Sequence, residues 1–142
     1  MAAEIFTQEW ALRWSEKINQ NPSYRKAAAT WEGELALIMS ADAEMGIPDA
    51  RAVVADLWHG ECRNAAARPA TALDEVPFVI KAPPEVWRNV LAGRTDPIVA
   101  LMSGKLKLAK GGLFALLPYA KAAKELVVSA SQVETVFPDG WD

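Results

Sequence analysis

A chain of 142 residues with one cysteine and one histidine is sized for a single domain, residues 1–142, and cannot form an intrachain disulfide or a multi-histidine metal site. A formal net charge of −3 argues against general attraction to nucleic acid, which wants a basic field over a whole face. Although 51% of the residues are hydrophobic, no run approaches the roughly 20 apolar residues needed to cross a bilayer, and residues 1–20 lack the pattern of an export signal, so a cytoplasmic protein is expected.

Thr7 caps a predicted helix that runs to residue 20, with Phe6, Trp10, Trp14 and Ile18 recurring every four residues and Glu9 near the positive end of the dipole. Asn21-Pro22 stops it, because a residue before proline avoids the helical region, and Ser23 is expected to cap a short second helix to Ala28. Residues 31–39 change to period two, with Trp31, Leu35, Leu37 and Met39 on one side and Glu32, Glu34, Ala36 and Ile38 on the other. A loop over 42–49, holding Gly46 and Pro48, leads to a second strand at 50–58. After the Gly60 turn, the alanine-rich stretch 61–68 fits an edge strand, where Arg63 and Arg68 discourage further pairing. Three consecutive strands predict an antiparallel meander.

A connection over 69–75 leads to a fourth strand, 76–82, on which Val76, Phe78 and Ile80 are expected to face together. Pro83-Pro84 ends it and starts a helix over 84–91, with Val86, Trp87, Val90 and Leu91 on its apolar side. Asp96 then caps a helix opened by Pro97, on which Ile98, Leu101 and Met102 share a face. Gly104, free to take positive φ, ends it, and Lys105, Leu106, Lys107 and Leu108 alternate as a fifth strand. The last predicted helix, 113–126, is broken near Leu117 by Pro118. Its first part, Leu113, Phe114, Leu116 and Leu117, is so apolar that protein, ligand or membrane must cover several of its sides. The tail, 127–142, carries scattered valines, Phe137 and Trp141 and is expected to fold back on the body or on a partner.

The run Leu101, Met102, Ser103, Gly104, Lys105, Leu106, Lys107, Leu108 and Gly111 resembles the late helix-to-strand region of the sterol carrier protein 2 family. The likeness extends over roughly residues 6–126 in the order of elements. It implies an α+β domain: a five-stranded, mainly antiparallel sheet with helices packed on one face, sheltering a lipid, a sterol or a fatty acyl group in a tunnel between the two layers. The family usually follows the fifth strand with a single glycine and a polar residue. Here the chain reads Ala109, Lys110, Gly111, Gly112, Leu113, Phe114, a looser and greasier entry that bears on the shape of the ligand portal.

Reactive chemistry has little to work with. Asp56, His59 and Glu61 form the best candidate acid–base cluster, but residues an odd number apart project to opposite faces of a strand, and turn hydrogen bonding explains the same residues. Gly111-Gly112 before a helix could cradle a phosphate such as that of an acyl-CoA, or serve as a plain helix entry. Arg94, Lys105, Lys107, Lys110, Lys121 and Lys124 concentrate positive charge in the last third, either as a solvated face or as an attraction for an anionic headgroup or membrane.

The apolar set is the candidate site. Trp10 and Trp14 of the first helix, Leu35, Leu37, Phe78, Ile80, Leu106 and Leu108 of the sheet, and Leu101, Met102, Phe114 and Leu117 of the covering helices outnumber what pins helices to a sheet. Non-enzymatic binding and carriage of a hydrophobic ligand is the function this set suggests, and the resemblance implies a sterol, fatty acid or fatty acyl-CoA as that ligand, with no cofactor, no metal and no catalytic residue expected. Transient membrane contact and a homodimer are compatible with it, and nucleic acid is not a partner. Two rivals are an assembly module that packs its apolar helices on another protein and an enzyme acting on acyl thioesters.

Overall fold

The computed structural model describes residues 2–138; Trp141 lies outside the described residues. After a two-residue strand β1 (Ala3–Glu4) come helices α1 (Gln8–Asn19) and α2 (Pro22–Ala27), then strands β2 (Glu32–Met39), β3 (Arg51–Trp58), β4 (Glu61–Arg68) and β5 (Phe78–Ala82). Helices α3 (Pro84–Leu91) and α4 (Pro97–Met102), strand β6 (Lys107–Lys110), helices α5 (Leu113–Leu116) and α6 (Ala120–Ser131), and strand β7 (Thr135–Val136) complete it. The main sheet has the order β4-β3-β2-β5-β6. Only β2 and β5 run parallel; β2–β3, β3–β4 and β5–β6 are antiparallel. The fold is α+β and the meander is as expected.

Period-two patterning divides two cores. Leu35, Leu37, Met39, Val53, Ala55 and Leu57 meet the helices. Ala36, Ile38, Ala52, Val54 and Val79, on the opposite face, are covered by Leu73 and Val76 from the connection after β4. Val76 therefore does not face with Phe78 and Ile80. Its N–H bonds the carbonyl of Leu73 at 3.1 Å in a turn, so the strand begins only at Phe78, beyond Pro77.

On the helical side, Thr7 accepts from the Trp10 N–H at 3.4 Å and starts α1 as expected. Trp10, Trp14 and Ile18 are wholly buried, and Phe6 packs edge to face against Trp10 and Trp87 at 4.9 and 5.3 Å. Both indole N–H groups of α1 find acceptors, Trp10 on the Thr135 hydroxyl at 2.9 Å and Trp14 on the Leu126 carbonyl at 3.0 Å, so these rings enter the core at little polar cost.

Two helix boundaries also differ from the sequence reading. Asn21, not Ser23, caps α2: proline is at home in the first helical position, so Pro22 opens the helix, and the Asn21 side chain accepts from the Tyr24 N–H at 3.1 Å. The last helix continues to Ser131 rather than stopping at Leu126, because Leu126, Val127 and Ala130 are all core residues. The chain then folds back as anticipated, β7 pairing in parallel with β1.

Candidate ligand-binding site

The covering helices leave two apolar crevices, one against the sheet and one among the helices themselves. The first lies between α2, β2, β3 and α6 and is lined by Tyr24, Trp31, Leu35, Leu57, Leu116, Tyr119, Ala122, Ala123 and Leu126. The second lies between α4, α5 and α6 and is lined by Ile98, Leu101, Met102, Leu113, Leu116, Leu117, Ala120 and Ala123. Leu116 and Ala123 line both. The free volume in each is only about 10 Å³, room for about one water and far below the roughly 300–1,000 Å³ of small-ligand pockets.

Helix α5 is the partition between them, and local sequence explains its form. Gly111, at φ +98°, turns the chain out of β6 where a Cβ would collide with the Phe78 ring. Gly112 starts the helix with no side-chain cap. Pro118 then breaks the helix after one turn, as its missing N–H dictates, giving a 3-10 turn (Leu117–Tyr119) before α6. Tyr119 anchors the far end, its ring edge-on to Trp31 at 4.8 Å and its hydroxyl 3.0 Å from that of Thr30. Between these two fixed points only Leu116 is buried; Leu113, Phe114 and Leu117 are exposed.

The neighbouring helix is better secured. Asp96 accepts from the N–H groups of Ile98 and Val99 at 2.8 and 3.2 Å and pairs with Lys124 at 3.3 Å. The Val99 hydrogen bond foremost, with those from Ile98 and Lys124, holds the Asp96 carboxyl below its ordinary range. Gly104 follows α4 at φ +82°, and the Leu106 N–H bonds the carbonyl of Ala100 at 3.0 Å. The strand pairing begins at Lys107 rather than Lys105, yet the alternation holds: Leu106 is buried and Leu108 half-buried, while Lys105 and Lys107 are exposed.

The residues expected to form the site divide accordingly. Leu35 lines the first crevice, and Leu101, Met102 and Leu117 the second. Trp10, Trp14, Leu37, Ile80 and Leu106 are buried in the main core and line neither, and Phe78 and Leu108 pack against that core from its margin. Phe114 is 87% exposed and lines neither crevice. Sequence reading missed Tyr24, Trp31, Leu57 and Leu126 as walls, along with the alanines of α6. The available signal was the run Ala120, Ala122, Ala123, whose short side chains leave space where larger ones would fill it.

Polar groups near the crevices are few. Burial pushes the Tyr24 phenol above its ordinary range, with a smaller push from Cys62, whose own thiol is raised mainly by burial. No histidine or carboxylate lines either crevice. Asp56 pairs with Arg63 at 3.0 Å, and His59 pairs with Glu32 at 2.5 Å and stacks on Trp58. With His59 and Gly60 both at positive φ, these residues make a two-residue hairpin turn, not an acid–base cluster. Among the described residues no group of three His, Cys, Asp or Glu side chains is placed to hold a metal ion, and no helix is long and apolar enough to cross a membrane.

No protein-family model and no curated protein matches the chain. Solved structures do. It is 51% identical to a protein whose crystal structure is described as sterol carrier protein 2, covering 92% of this chain and 99% of that one with a TM-score of 0.86. It is 48% identical to a conserved hypothetical protein from Thermus thermophilus, described as possibly a sterol carrier protein, over 99% of this chain and 97% of that one, with a TM-score of 0.84. At 14% identity the apo form of sterol carrier protein 2 from Yarrowia lipolytica shares the fold alone, with a TM-score of 0.50 over 87% of this chain and 80% of that one. With about half its residues identical across nearly its whole length, the chain belongs to the sterol carrier protein 2 family.

Proposed function

We propose that the chain binds and carries a hydrophobic ligand (a sterol, a fatty acid or a fatty acyl-CoA) between its sheet and its helices, without catalysing a reaction on it. The observation that carries this reading is the pair of apolar crevices separated by Leu116 of one short helix. Family membership and the sterol carrier descriptions of the similar structures support it. As they stand, the crevices are too narrow for a lipid, so entry requires α5 to shift and Leu116 to withdraw, joining them into one tunnel.

Energetics permit this. Burying a methylene is worth about 0.8 kcal/mol, so a chain of about a dozen carbons gains roughly 10 kcal/mol before ordering and association costs are subtracted. Displacing α5 exposes little, since Leu116 is its only buried residue. A carrier of this kind works in the cytoplasm, and the wall of the first crevice is apolar where it faces the space, which suits a hydrocarbon chain.

The test is a titration of the full chain with a fluorescent fatty acid in vesicle-free buffer, with sterol as competitor. One saturable site per chain supports carriage, and competition by sterol widens the ligand class. Absence of saturable binding of either lipid overturns the reading.

A further inference from the structure

Charge along the chain is strongly divided. Five of its 15 basic residues and none of its 18 acidic residues lie between Pro97 and Lys124, the segment that builds α4, β6 and α5. The same segment exposes large apolar side chains: Val99 by 61%, Met102 by 62%, Phe114 by 87% and Leu117 by 42%. Met102 and Leu117 line one crevice, so α4 and α5 present these residues side by side, and Phe114 lies one helical turn before Leu117. Lys105 follows Met102 across the Gly104 turn and Lys121 follows Leu117 by four residues; both are exposed. Lys110 and Lys124 are engaged within the protein, on the Asp74 carbonyl and on Asp96.

We propose that this face, made by α4, the Lys105 turn and α5, docks on an anionic lipid bilayer. Phe114, Met102 and Leu117 enter the boundary between headgroups and acyl chains, and Lys105 and Lys121 meet the phosphates. Charge complementarity selects the occupant: the chain is acidic as a whole, yet this long segment carries no acid, which turns it toward a negative surface and the remainder away from one. A purely apolar protein partner would have no use for these lysines. The inference rests on the carrier function proposed above and gives it geometry, because the docked face includes the partition through which a lipid would enter.

Flotation of the full chain with vesicles of equal parts phosphatidylglycerol and phosphatidylcholine tests it. Binding is expected to weaken at high salt and to fall about tenfold or more in Phe114→Ser, with a smaller loss in the double variant Lys105→Gln/Lys121→Gln. No flotation, equal flotation with pure phosphatidylcholine vesicles, or an unchanged Phe114→Ser variant overturns the proposal. So does a dimer by sedimentation that Phe114→Ser dissolves, since a second copy would then cover the face. The fatty-acid titration in vesicle-free buffer separates the two readings. Fatty-acid binding without flotation removes the docking face and leaves carriage; flotation without fatty-acid binding does the reverse.

Discussion

Helices α1 and α5 are both rich in large apolar side chains, and the protein uses them in opposite ways. In α1, Trp10, Trp14 and Ile18 are wholly buried and the indole N–H groups are satisfied. In α5 one residue of four is buried, and Phe114 stands almost free in solvent. The difference lies in periodicity and length. A twelve-residue helix with an apolar residue every fourth position offers one stripe to one core, whereas four apolar residues between a glycine pair and a proline cannot all face inward. The first helix is built for stability, and the second is left available for movement and contact.

That contrast is open to attack at several points. Trp14→Ala should cost about 3–5 kcal/mol, since it empties a close-packed site and removes the indole hydrogen bond to the Leu126 carbonyl; urea denaturation measures it, and a loss below about 1 kcal/mol would deny α1 its role. Gly111→Ala should cost about 1–3 kcal/mol because an L side chain is strained at that φ and collides with Phe78. The same melt that shows this cost should show α5 loosened.

A smaller effect sharpens the reading of the first crevice wall. Burial raises the Tyr24 phenol above its ordinary value of about 10, so the folded state favours the neutral form. That contribution runs in the sense opposite to a stabilising ion pair: below about pH 10 the phenol is neutral in both states and costs nothing, and above it the unfolded chain ionises first. Thermal stability should therefore decline above about pH 10, and Tyr24→Phe should remove part of the decline. The smallest change belongs to α5: Phe114→Ser should alter stability by no more than about 0.5 kcal/mol, in contrast to Trp14→Ala.

Reading the chain without coordinates recovers the order of elements, the sheet, the caps at Thr7 and Asp96, and the break at Pro118, because each rests on a local rule of spacing or backbone geometry. It misassigns Val76, since whether an apolar residue belongs to a strand or to the loop covering its far face is decided by tertiary packing. The site was legible only in kind. Trp10 and Trp14 have the same residue types as a ligand wall and are core, while the alanines of α6, silent as apolar signal, make the space. Apolar composition tells where grease lies and not where it is missing.

The central claim, that a lipid occupies the space joined by displacement of Leu116, is tested most directly by filling that junction. Leu116→Trp, with Ala123→Leu as an independent second filling, is to be compared with the unaltered chain in the fluorescent fatty-acid titration, each variant checked for a cooperative melt. The account predicts affinity weakened about tenfold or more in a folded variant, by analogy with the cost of overpacking. Fatty-acid binding of undiminished affinity in both folded variants would place the ligand elsewhere and contradict it.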